Sequence, residues 1–143
     1  MPGGPTIGWL MKEAVHHTRK AVDGAVRAHG VTVAQWAVLY QLAEQPGLSG
    51  AELAREMLLT PQATHQALAT LGRMGLVERT PDPRHAGIHR AVLTEEGRRV
   101  ADLCGADSLK IQRRILAGFD AEERKVLTGL LERYVRQARA ASE

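Results

Sequence analysis

The sequence predicts a mainly α chain with one small β-hairpin, and three observations lead to it. Two capped helix starts, at Ser49 and Thr60, stand close together on either side of a tight turn. A turn-rich segment, PDPRHAG, separates two short apolar runs. Long stretches with apolar residues three and four apart occupy both ends of the chain.

The bulk numbers set the frame. At 143 residues the chain suits a single domain, 1–143, with its own core. Hydrophobic residues make up 44% and charged residues 24%, and no run approaches the ~18 apolar residues of a membrane span. The opening MPGGPTIGWLMKEAVHH lacks the basic start, apolar block and cleavage site of a secretory signal, so a cytoplasmic address is expected. The one cysteine, Cys104, cannot form an intrachain disulfide, which agrees with a reducing compartment. The net charge of +3 suits a polyanionic partner. Aromatic residues, at 3%, are too few for a base-stacking platform, which favours duplex DNA over single strands.

From Ile7 to about Ala28, apolar residues at Ile7, Leu10, Met11, Ala14, Ala21, Val22 and Ala25 share one helix face with Thr18. Trp9 lies on the other side with His16, Lys20 and Arg27. Thr32 opens a second helix, with Trp36, Tyr40 and Ala43 on one apolar side and Val38, Leu39 and Leu42 on another, the pattern of a central helix. Ser49 with Glu52 reads as a capping box, and Leu48 against Leu53 as a hydrophobic staple, opening a helix to about Met57. After a Leu58-Leu59 turn, Thr60-Pro61 supplies a capping hydroxyl and a proline at the first helical position. That helix, to about Met74, carries Thr64, Ala67, Leu68 and Leu71 inward and Gln62, His65, Gln66, Ala69, Thr70 and Arg73 outward. Gly75 stops it; Leu76–Arg79 and Ile88–Leu93 read as the two strands of the hairpin. Thr94 caps a long helix to about Gly118, and Asp120 with Glu123 opens the last one, carrying Val126, Leu127, Leu130, Leu131 and Tyr134.

Helix, tight turn, polar-faced helix and basic hairpin follow in the order of a winged helix-turn-helix, whose second helix enters the major groove of double-stranded DNA. Gln62, His65 and Gln66 project one way from the start of that helix. A glutamine pairs in bidentate fashion with adenine and a histidine donates to a guanine acceptor, so these are the expected base readers. Thr60, Thr70 and Arg73 flank them as expected phosphate contacts, which position a protein without reading sequence, and Ser49 and Pro61 complete the expected DNA-binding set of this region. A winged helix serving only as a protein-interaction module is the alternative, and steep salt dependence separates the two.

The chain resembles the MarR family of bacterial regulators over nearly its whole length. TVAQWAVLYQL resembles that family's second helix, LSGAELAREMLLTPQATHQALATLGRMGLVER its helix-turn-helix, and DPRHAGIHRAVLTEEG its wing and entry to the fifth helix. The resemblance implies a winged helix-turn-helix lobe over 32–93 and dimerisation helices over 7–29 and 94–140. It implies a ligand-responsive repressor, a homodimer on a palindromic operator. The family often carries Asp-x-Arg-Asp-x-Arg at the wing; this chain keeps Asp82 and Arg84 but has His85 and Gly87 at the later positions. Arg84, His85, His89 and Arg90 are then the cations left to meet the minor groove. Relatives that bind a small aromatic or phenolic acid do so between the two regions, which here points to Trp9, His16, Trp36 and Tyr40.

No phosphate loop, nucleophile elbow or metal cluster is legible, so no enzyme, cofactor or metal site is expected. His16 and His17 are adjacent, hence ~100° apart on a helix, a poor metal pair. Cys104 shares a stripe with Val100, Ser108, Ile111 and Ile115 and reads as a small core hydrophobe.

Overall fold

A computed structural model describes residues 4–143. Its contacts divide into a first unit, reaching Ser108, and a second, Leu109–Glu143. The first helix and the early turns of the fifth fall in the same unit as residues 32–93.

In the first unit α1 (Ile7–Val26) is capped by Thr6, whose hydroxyl accepts from the Trp9 N–H, and it runs into a 3-10 turn at Arg27–His29. Gly30, with φ +83°, turns the chain out of it, a left-handed step that glycine takes without strain. α2 (Val33–Glu44) starts with a full capping box, Thr32 with Gln35. The Asp23 carboxylate from α1 also accepts from the Val33 N–H at 3.1 Å, fastening the two helices. α3 (Gly50–Met57) starts with the expected box, Ser49 with Glu52. α4 (Pro61–Arg73) starts at Thr60, whose Oγ1 accepts from the Ala63 N–H at 3.1 Å. Between them Leu58 takes φ 54°, the left-handed turn that lets two helices follow each other so closely.

The hairpin is β2 (Val77–Pro81) with β3 (His89–Leu93), in register from Val77 opposite Leu93 to Pro81 opposite His89. A third strand was not foreseen. β1 (Leu48–Ser49) pairs antiparallel with β3, giving the order β1-β3-β2. Two residues are too few for a period-two pattern, and the capping box just beyond them dominates the local signal. Pairing with β1 shields one edge of β3 and ties the wing to the start of α3.

The core of this unit joins Val26, Val38, Leu39, Leu42, Leu53, Leu68 and Leu71, each fully buried. The second apolar side of α2 is only partly covered: Trp36 and Ala43 are half-buried and Tyr40 is 52% exposed. The expected stripe of α1 is likewise buried only toward its end, at Val22 and the unexpected Val26, while Ile7 and Leu10 stay exposed. α5 (Glu95–Leu116) begins under Thr94, whose Oγ1 accepts from the Gly97 N–H at 3.0 Å. Gly97 has to be glycine, because a Cβ there would stand 1.9 Å from the Leu76 carbonyl oxygen.

In the second unit the α5 end is closed by Arg124, whose Nη2 donates to the Leu116 carbonyl at 2.8 Å. α6 (Ala121–Ala141) is capped by Asp120 and buries none of its residues; Val126, Leu130, Leu131, Tyr134 and Val135 are all exposed. No helix of the described residues is long and apolar enough to cross a membrane.

Two glycines of α5 then behave in opposite ways. Gly97→Ala lowers the unfolding free energy by ~1–3 kcal/mol through forced backbone displacement, whereas Gly105→Ala, which meets open space, raises it by up to ~1 kcal/mol. Urea unfolding of both variants measures the pair.

Candidate nucleic-acid interface

α4 is amphipathic in the way a groove-binding helix must be. Thr64, Leu68 and Leu71 point into the core, and the Thr64 hydroxyl is satisfied by donating to the Thr60 carbonyl at 3.0 Å. Gln62, His65 and Gln66 emerge exposed on the other side, so the structure brings the three expected base readers onto one open surface. The first turn of α4 contains no acid, leaving its positive dipole end uncompensated by its own side chains. Thr60 and Pro61 are exposed beside it. Thr70 is half-buried and accepts from Arg73 Nη2 at 3.2 Å, which leaves the rest of that exposed guanidinium facing outward. Ser49 is half-buried, its Oγ accepting from the Glu52 N–H at 3.2 Å, with the hydroxyl proton still to be donated.

The wing is held by a buried carboxylate. Asp82 Oδ1 accepts from the Arg84 N–H at 2.8 Å, Oδ2 accepts from Arg90 Nε at 2.9 Å, and the Asp82 N–H donates to the Ile88 carbonyl at 2.8 Å. The Arg84 N–H foremost, and the Arg90 guanidinium, hold the Asp82 carboxyl below the ordinary aspartate range against the opposing effect of burial. Gly87, with φ +85°, completes the tip. Arg84, His85 and His89 are exposed there.

Arg90 departs from its expected role. Besides Asp82, its Nη1 donates to the Gly47 carbonyl at 3.1 Å and approaches both Glu52 oxygens at 3.4 Å. Two carboxylates surround it, so it braces the lobe instead of standing free as a tip cation. Reading along the sequence could not show this, because the bracket needs the β1–β3 pairing to bring residues 47, 52 and 90 together. Two exposed cations of the lobe were passed over, Arg55 on α3 and Arg79 on β2. A basic residue in an edge strand was the available signal for the second.

The four residues expected at an effector site are only partly assembled. Trp36 and Tyr40 sit with ring centroids 6.0 Å apart. Trp9 lines a groove with Gly4, Pro5 and Thr6, whereas His16 lines a different one with Lys12, Val15, Arg19 and Lys20. The two grooves lie on the same side of α1, with Trp9 and His16 nearly two helical turns apart along it. The Trp36 Nε1 is buried without an acceptor. Cys104 is fully buried, and burial pushes its thiol up to about 11, so it is a poor nucleophile at neutral pH.

A sequence model of the MarR family matches residues 29–86. The HTH-type transcriptional repressor Rv2887 of Mycobacterium tuberculosis is 32% identical over 127 residues, 89% of this chain and 91% of that one. The chain belongs to the MarR family. The solved structure of Rv2887 in complex with DNA superposes with a TM-score of 0.76 at 30% identity, over 92% of this chain and 98% of that one. Rv2887 in complex with salicylic acid gives 0.75 at 30% identity, over 94% and 99%. PcaV of Streptomyces coelicolor, in complex with its natural ligand, gives 0.83 at 26% identity, over 96% and 99%. The winged helix-turn-helix read from the sequence is therefore the MarR fold, down to the wing that follows α4.

The wing carboxylate offers a direct check. Asp82 has a depressed folded-state value, so its contribution to stability is present above the ordinary aspartate value of 3.8 and is lost as pH falls through the folded one. NMR titration of its carboxyl carbon gives a midpoint below that of free aspartate. Arg90→Gln moves the midpoint only part of the way back, because the Arg84 N–H remains.

Proposed function

We propose that this MarR-family chain is a cytoplasmic transcriptional repressor that binds double-stranded DNA as a homodimer on a palindromic operator. The observation that carries the reading is the outer face of α4: exposed Gln62, His65 and Gln66 behind an acid-free, capped first turn. Gln62 and Gln66 match adenine edges and His65 a guanine acceptor in the major groove. Ser49, Thr60, Thr70 and Arg73 surround that face with phosphate donors. Arg84, His85 and His89 supply the cations that flank the groove, attracted by its negative potential.

A second copy is what the exposed apolar surface calls for. The stripe Val126, Leu130, Leu131, Tyr134 and Val135 of α6 has no cover in one chain, and the Ile7 and Leu10 end of α1 is equally bare. Association of two copies removes such surface from water at ~25 cal/mol per Å². Two-fold symmetry then sets paired recognition helices about one turn of duplex apart. A small aromatic or phenolic acid is the proposed effector. The unpaired Trp36 Nε1 supports it, as a donor whose burial costs ~1–3 kcal/mol until an acceptor arrives. Trp9, His16 and Tyr40 are its further candidate contacts, and of these Tyr40 stands beside the Trp36 ring.

Gln62→Ala and Gln66→Ala each weaken binding to a duplex selected by the protein itself by ~1–3 kcal/mol, with little change on random duplex. Equal losses on both duplexes count against the base-reading assignment, and a flat salt response returns the protein-interaction module. Leu130→Glu with Leu131→Glu shifts the sedimentation equilibrium from dimer to monomer and lowers operator affinity with it. Calorimetry with salicylate gives heat that Trp36→Phe reduces; no heat and unchanged DNA affinity across aromatic carboxylates would remove the effector.

A further inference from the structure

We propose that Arg90 is a positioning residue for DNA recognition, fixing the root of the wing to the start of α3 so that wing tip and α4 meet the duplex at one separation. The inference rests on the DNA-binding reading above. Beyond the short β1 the wing continues as a two-stranded ribbon, which by itself is marginal in water. The last paired position of this one is Pro81 opposite His89, and the tip residues Arg84, His85 and Gly87 lie beyond it. Something must set the angle of that free end.

Arg90 stands one residue inside the last pair, opposite Thr80 on one side and Ser49 on the other. From there its guanidinium reaches both ways: Nε and Nη2 to Asp82 at 2.9 Å, Nη1 to the Gly47 carbonyl at 3.1 Å and to Glu52 at 3.4 Å. Asp82 carries the connection to the tip through the Arg84 N–H. Glu52 carries it into α3, because the same side chain accepts from the Ser49 N–H in the capping box. One planar fork thereby joins tip, sheet and helix-turn-helix, which a lysine, a single point charge, reproduces only in part.

The charge balance makes the role testable by sign. Asp82 and Glu52 together outweigh the one arginine between them, so the bracket as a whole repels a polyanion. Electrostatics alone predicts that removing an acid there tightens DNA binding; positioning predicts that it weakens specific binding.

The probes are a duplex selected from a random-sequence pool by the full chain and an unselected duplex of the same length. Asp82→Asn and Arg90→Gln are expected each to weaken the selected duplex by up to about tenfold, the scale of coupling within one bonded network, and to leave the unselected duplex within about twofold. The double variant is expected to be no weaker than the worse single one, and Arg90→Lys to recover part of the loss. Glu52→Gln, which keeps an acceptor for the α3 cap, is expected to weaken the selected duplex in the same direction, so the test survives if Asp82→Asn misfolds. Retained binding to the unselected duplex reports that each variant is folded.

Tighter binding by Asp82→Asn or Glu52→Gln overturns the proposal. So does an equal loss on both duplexes with a shallower salt slope for Arg90→Gln, which makes Arg90 a phosphate contact. If the parent protein fails to prefer its selected duplex, the regulator reading falls and this one with it. The two failures are therefore distinct.

Discussion

Burial of one face of α4 is the constraint on which the remaining structure depends. Leu68 and Leu71 are fully enclosed with Leu53 of α3 and Val38, Leu39 and Leu42 of α2. Each such leucine contributes ~1.5–3 kcal/mol when removed from water. Because successive residues of a helix are ~100° apart, seating these two fixes the rotation of α4 about its own axis. The exposure of Gln62, His65 and Gln66 follows from that seating, so the recognition surface is specified by the core beneath it.

The turn before α4 carries the same constraint at a cost. Leu58 adopts φ 54°, a region disfavoured by ~1–2 kcal/mol for a residue with a Cβ. The Leu59 N–H nevertheless donates to the Ala54 carbonyl at 3.0 Å, and Thr60 is delivered to its capping position at once. A longer turn would relax Leu58 and loosen the angle between α3 and α4. The buried contacts between those helices offset the strain of the short one.

Much of this was legible in the residues, and the reason is local. The Ser49–Glu52 box, the Thr60–Pro61 start and the Thr94 and Asp120 caps each depend on atoms within a few positions, and each forms as read. The strands were legible from the turn residues between them, with bounds off by one or two positions. What escaped were features that depend on distant chain segments. β1, the Gly47–Glu52–Asp82–Arg90 bracket and the His29–Asp107 contact at 2.7 Å join residues that no periodicity links. The effector residues were legible only as chemistry: the sequence offered aromatic rings and polar tips, and the fold puts Trp9 and His16 in separate grooves.

The treatment of helix N-termini connects the fold to its role. α3, α5 and α6 each place glutamate in their first turn, and α2 receives the Asp23 carboxylate from α1, arrangements worth ~0.3–1 kcal/mol apiece in complementing the helix dipole. α4 has no acid in its first turn, and neither has α1. α4 depends on the neutral devices, the Thr60 hydroxyl and Pro61, which organise the start without occupying it with negative charge. An acid there would have stabilised the free protein and repelled a phosphate. On the helix whose outer face is polar and exposed, the acid-free start leaves the backbone N–H groups and the positive dipole end open to an anion.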